Sequence, residues 1–108
     1  MENEKIYSFK TARFSVECVV EPEDMDPADA FEFEDDIENV RNGTWEWFQV
    51  QVCVRLDGKK IGTSYLGGCA YVKASDFLES GEFHDMVREA VAESRKNIRP
   101  APAMRLAA

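Results

Sequence analysis

A chain of 108 residues with 44% hydrophobic and 31% charged side chains is long enough for one hydrophobic core, too short for two, and too apolar for intrinsic disorder. Its formal charge of -8 disfavours direct binding to nucleic acid or anionic lipid, which repel it, and favours basic partners. No apolar run nears the ~20 residues of a membrane-spanning helix, and Met1-Glu2-Asn3-Glu4-Lys5 lacks the pattern of a signal peptide, so a cytoplasmic protein is expected.

Lys5 to Val20 alternates as a strand does, with Phe14, Val16, Cys18 and Val20 on one face and Arg13, Ser15 and Glu17 on the other. Lys10-Thr11-Ala12 is a point where it bends or divides. Glu21-Pro22-Glu23 ends the ladder, because proline has no N–H to donate. From Asp26 the pattern becomes helical. Asp26 is a good N-cap, Pro27 suits the first helical position, and Asp29 places a carboxylate where the helix dipole favours it. Ala30, Phe33, Ile37 and Val40 recur at spacings of three and four, which predicts one amphipathic helix docked on a sheet and stopped by Asn42-Gly43.

Thr44 to Leu56 is the clearest strand: Phe48, Val50, Val52, Val54 and Leu56 face the core, and Trp45, Trp47, Gln49, Gln51, Cys53 and Arg55 face the other way. Asp57-Gly58 beside an alternating run predicts a tight hairpin, with Lys59 to Lys73 returning antiparallel and Gly67-Gly68 marking a bulge or a close backbone approach. A short turn or helix begins at Ser75-Asp76-Phe77-Leu78. A longer helix follows from about Gly81 to Ile98, its buried stripe formed by Phe83, Met86, Val87, Ala90, Val91, Ser94 and Ile98. The expected fold is therefore α+β, a three- to four-stranded antiparallel sheet with two helices packed on one face in the order β-α-β-β-α. Residues 1–98 form the domain, and 99–108, rich in proline and alanine, form a flexible tail.

Catalytic signatures are missing: the chain has one histidine, His84, on an amphipathic helix, and no serine or cysteine stands in a known nucleophile motif. No enzymatic activity and no cofactor are expected. Cys18, Cys53 and Cys69 lack the paired spacing of a zinc site and read as reduced structural thiols. Asp24-x-Asp26-x-x-Asp29 fails as a calcium loop, because counting from Asp24 puts Ala28 at position 5, Asp29 at the glycine position and Pro27 in between.

The charge is uneven. Residues 21–38 hold ten Asp or Glu and no Lys or Arg, whereas the other ninety residues hold thirteen basic and eleven acidic side chains. Such a run is ordinarily a solvated face, but packing ten carboxylates so closely carries a self-repulsion that solubility alone does not require. Carboxylates four apart on a helix are spaced by about 6 Å, a scale comparable with phosphates along a nucleic-acid strand. Asp29, Glu32, Asp35, Asp36 and Glu38 are thus candidate phosphate surrogates toward a basic, nucleic-acid-binding protein. Trp45 and Trp47 are a second candidate partner-binding pair, covered by the fold or anchoring a homodimer.

Leu56-Asp57-Gly58, Leu66-Gly67-Gly68-Cys69 and Phe83-His84-Asp85-Met86-Val87-Arg88-Glu89-Ala90 resemble pieces of small phage- and plasmid-borne proteins. The resemblance spans roughly Phe14 to Ile98 and transfers no catalytic residue. It implies a host-cell cytoplasmic setting and a non-enzymatic inhibitor of bacterial defence, of the anti-CRISPR or anti-restriction type, or else a homodimeric accessory phage protein associating through its tryptophans.

Overall fold

The computed structural model describes residues 2–98; the tail expected over 99–108 lies outside the described residues. Four strands, β1 (Glu4–Lys10), β2 (Phe14–Pro22), β3 (Glu46–Leu56) and β4 (Lys59–Tyr71), form one antiparallel meander in sequence order. The first predicted strand divides at 11–13, as its polar break allowed. Helix α1 (Glu34–Arg41) connects β2 to β3, and helix α2 (Gly81–Asn97) follows β4. Short 3-10 turns at Pro27–Asp29 and Ala74–Glu79 precede the two helices. The class is α+β, with one strand and two 3-10 turns more than the simplest expected order.

The β3–β4 turn has the conformation that Asp-Gly favours, with φ +50° at Asp57 and +84° at Gly58. Its Asp57 carboxylate takes a forked pair of hydrogen bonds from Arg13, at 2.8 and 3.3 Å, tying the β1–β2 turn to the β3–β4 turn. The register then places Cys18 beside Val52, Val20 beside Val50 and Val16 beside Val54, so the core-facing positions of β2 and β3 meet apolar neighbours. Phe48, Val50, Val52, Cys18 and Val20 are completely buried.

Helix α2 covers that face. Ser80 caps it by accepting a hydrogen bond from the Phe83 amide at 3.2 Å, and Phe83, Met86, Ala90 and Ser94 are its buried side chains. Phe77 stands edge-on to Phe48, Tyr71 and Phe83 and seals the end of this core. The helix lies so close to β4 that a Cβ at Gly62 would come within 2.2 Å of the Ala90 carbonyl oxygen. Glycine is what allows this approach.

Three expectations need correction. Ile98 lies beyond the last turn of α2 and is exposed. The acidic helix is not continuous: a 3-10 turn over Pro27–Asp29 is followed by extended backbone at Phe33, and the α-helix begins only at Glu34. Ala30 and Phe33 are exposed, leaving Ile37 as the buried side chain of α1. Nor do the two helices share one face. The chain from Glu23 onward folds over the opposite side of the sheet, against Trp47, so the prediction of both helices on one face holds for α2 alone.

Candidate functional site

The acidic segment begins where β2 ends and is pinned to the sheet before it leaves it. The Glu23 amide donates to the Trp47 carbonyl at 3.3 Å, and Gln49 donates from Nε2 to the Pro22 carbonyl at 3.0 Å. The Glu23 carboxylate then accepts the Gly68 amide at 2.7 Å through one oxygen and the Asp24 amide at 3.0 Å through the other. Gly68 can present its amide because it sits at a bulge with φ +69°, where two residues of β4 oppose one residue of β3 between the Phe48–Cys69 and Val50–Leu66 pairs. The Gly67-Gly68 pair thus serves as the receiving end of a carboxylate clamp. Finally, the Trp47 indole N–H donates to the Met25 carbonyl at 2.8 Å.

Phe31 completes the cover. Its ring lies 5.6 Å from that of Trp47 and 6.2 Å from that of Trp45, leaving both tryptophans half-buried. The two rings expected either under the fold or in an interface are therefore packed against their own chain at this end of the sheet. Beyond Trp47, the same face is polar: Glu17 takes Lys5 at 3.0 Å and Arg55 at 3.1 Å, and these two cations, Lys5 foremost, hold its carboxyl below the usual range.

Asp26 fulfils its capping role. Its side chain accepts from the Ala28 amide at 2.9 Å and from Arg41 at 3.2 Å, linking the 3-10 turn to the last turn of α1, and the two contacts lower its pKa, the amide more than the guanidinium. Glu34, Asp35 and Asp36 fill the first turn of α1 and Arg41 its last, in keeping with the helix dipole. Trp45 donates its amide to the Asn39 carbonyl at 2.9 Å, fixing α1 to the start of β3.

Of the predicted phosphate surrogates, Asp29, Glu32, Asp35 and Glu38 are exposed, while Asp36 is half-buried on the flank of α1. Glu34 and Asp24 are exposed as well and belong with them. Among the described residues, the one ion pair made by any carboxylate from Glu21 to Glu38 is Asp26 with Arg41. The negative charge is therefore concentrated on one contiguous segment and is mostly uncompensated.

Residues that sequence reasoning missed are Glu23 and Phe31. Neither has a local signature, because both act across the sheet, on Gly68 and on the tryptophans. Elsewhere, Cys18, Cys53 and Cys69 are buried free thiols, with Cys53 on the opposite side of the sheet from Cys18, and His84 is exposed beside Phe83. Burial raises the Cys18 thiol to about 11 and that of Cys69 to about 12. Among the described residues, no group of three or more His, Cys, Asp or Glu side chains is placed to hold a metal ion, and no helix is long and apolar enough to cross a membrane. Comparison with known protein families, with characterised proteins and with solved structures finds no match to this chain.

Proposed function

We propose that this chain is a non-enzymatic, protein-binding inhibitor encoded by a mobile element, whose acidic segment occupies a basic, nucleic-acid-binding site of a bacterial defence complex in the anti-CRISPR or anti-restriction manner. The observation that carries the reading is the density of carboxylates: ten between Glu21 and Glu38, of which Asp26 alone makes an ion pair among the described residues. Asp29, Glu32, Asp35, Asp36 and Glu38, joined by Glu34, would stand in for phosphates. A groove built for nucleic acid presents Lys and Arg arrays, so the complex would gain from electrostatic steering and from the loss of salt-dependent counterions at that groove. The clamp at Glu23 and the Phe31 stack support the reading by holding much of the segment in place before it meets a partner, which lowers the entropy lost on binding. The other reading, a homodimer through Trp45 and Trp47, is less well supported, because Phe31 and the Met25 carbonyl already engage that pair.

The test is competition with a labelled DNA duplex for purified RNA-guided and restriction nucleases. The wild-type chain is expected to displace the duplex from at least one, with affinity falling more than about tenfold between ~50 and ~300 mM salt. A variant carrying Asp29→Asn, Glu32→Gln, Asp35→Asn, Asp36→Asn and Glu38→Gln is expected to lose the competition while remaining folded. Equal competition by that variant, or failure of the wild type on every nuclease, removes the proposal.

A further inference from the structure

The end of the sheet farthest from the acidic segment has the opposite character. Antiparallel pairing brings the β1–β2 turn and the β3–β4 turn together there, and Asn97 donates to the Ile61 carbonyl at 2.6 Å, adding the last turn of α2. The three stretches 10–14, 55–61 and 94–98 contain Lys10, Arg13, Arg55, Lys59, Lys60, Arg95 and Lys96, against Asp57 as the one carboxylate. Arg55 is held by Glu17 and Arg13 by Asp57; among the described residues, Lys10, Lys59, Lys60, Arg95 and Lys96 make no ion pair. Glu93 lies a turn earlier on α2. The molecule is therefore electrically polar along its strands.

Within this basic end lies an apolar cleft of about 270 Å³, lined by Phe14, Val16 and Val54 from the sheet and Val91, Ser94, Arg95 and Ile98 from the helix. It exists because α2 runs close over β4 at Gly62 and leaves the β2 side of the core face uncovered where the strands begin and end. Phe9 is 55% exposed, Phe14 37% and Ile98 42%. At the acidic end, Phe33 is 69% exposed and Met25 39%, and Phe33 stands between Glu32 and Glu34. Exposed large hydrophobic side chains thus stand at both poles, Phe9, Phe14 and Ile98 at the basic end and Met25 and Phe33 in the acidic segment.

We propose that the apolar cleft at the basic end receives the Phe33-bearing acidic segment of a second copy of this chain, so that copies associate head to tail. Phe33 would supply the anchor in the cleft, and Glu32, Glu34 and Asp35 would face Arg95 and its neighbour Lys96 at the end of α2. Charge complementarity selects this occupant: the chain carries both halves of the contact, and neither half matches itself. Such an interface is heterologous, so it leaves a free acidic end and a free basic end on every assembly and grows with concentration instead of closing at a dimer. It goes beyond the nucleic-acid-mimic reading and stands without it, although both draw on the same carboxylates.

Sedimentation equilibrium of the full chain tests it. At ~50 mM salt the average mass is expected to climb past that of a dimer as concentration rises, and at ~500 mM salt to fall back to the monomer, because exposed charges are screened over a few ångströms there. Phe33→Ser and Ile98→Glu each change an exposed side chain, and far-ultraviolet circular dichroism checks that each variant is folded. Each alone is expected to associate at least ~tenfold more weakly. Mixed in equal amounts they should give a complex that stops at two chains, since one variant retains an intact cleft and the other an intact Phe33. A wild type that remains monomeric, a dimer that survives either substitution, or a mixture that forms no dimer overturns the proposal.

Discussion

Two stretches of this chain carry an apolar stripe at helical spacing, and they fold differently. In α2 the stripe lies under the helix as the spacing predicts, with Phe83, Met86, Ala90 and Ser94 buried against the sheet. In the acidic segment, Ala30 and Phe33 are exposed, the helix starts only at Glu34, and the chain is attached to the sheet by Glu23, the Met25 carbonyl and Phe31 instead. The physical difference is in what each stripe can bury. Helix α2 offers a phenylalanine and a methionine to an all-apolar strand face, whereas the acidic stretch offers mainly Ile37 and Val40 while crowding Glu34, Asp35 and Asp36 into a single turn. A regular spacing is sufficient for a helix only where the buried area exceeds the cost of ordering the chain and bringing its charges together.

The contrast is broken most sharply by cutting one phenylalanine from each stretch. Phe83→Ala, which removes a buried ring packed edge-on against Tyr7 and Phe77, is expected to lower stability by about 3–5 kcal/mol in urea denaturation. Phe33→Ala should leave it within about 0.5 kcal/mol. A comparable loss at both positions would mean that Phe33 is buried in the native protein. Glu23→Ala comes next, with an expected loss of about 1.5–3 kcal/mol, because the Gly68 and Asp24 amides lose a charged acceptor. Faster amide exchange at Gly68 together with a shift in Trp47 fluorescence would locate that loss at the clamp; unchanged exchange would show that the clamp is dispensable.

The smallest effect at neutral pH lies in the thiols beneath α2. Because burial raises Cys18 and Cys69 above the ~8.5 of an unfolded thiol, both sites favour the protonated form in the native state. Their contribution is complete below about pH 8.5 and is lost as pH climbs toward about 11. Urea midpoints measured from pH 7 to pH 10 should therefore fall less steeply in a variant carrying Cys18→Ala and Cys69→Ala than in the wild type. Parallel profiles would exclude the two thiols as the cause.

Much of the architecture was legible in the residues. The alternation of β3, the Asp57-Gly58 turn, the amphipathic stripe of α2 and the break after Lys10 are local patterns whose backbone preferences and apolar periodicity agree with the final packing. The acidic segment was legible as charge and not as shape. Its Asp26 cap and Gly43 stop were readable, yet the interruption at Phe33 depends on what the neighbouring sheet could hold. The same limit applies to Trp45 and Trp47, which alternate onto the polar face of β3 but are covered by Phe31 from another part of the chain.

By itself the sequence determined the strands and α2, the core face of β2 and β3, and the concentration of negative charge between Glu21 and Glu38, because propensity, periodicity and charge are properties of neighbouring residues. Only the tertiary structure decided that Glu23 reaches Gly68, that the acidic segment lies across the tryptophans instead of beside α2, and that an apolar cleft opens beside Arg95 at the other, basic end. Those outcomes follow from strand register and from α2 settling over Gly62, which bring together residues far apart in the chain.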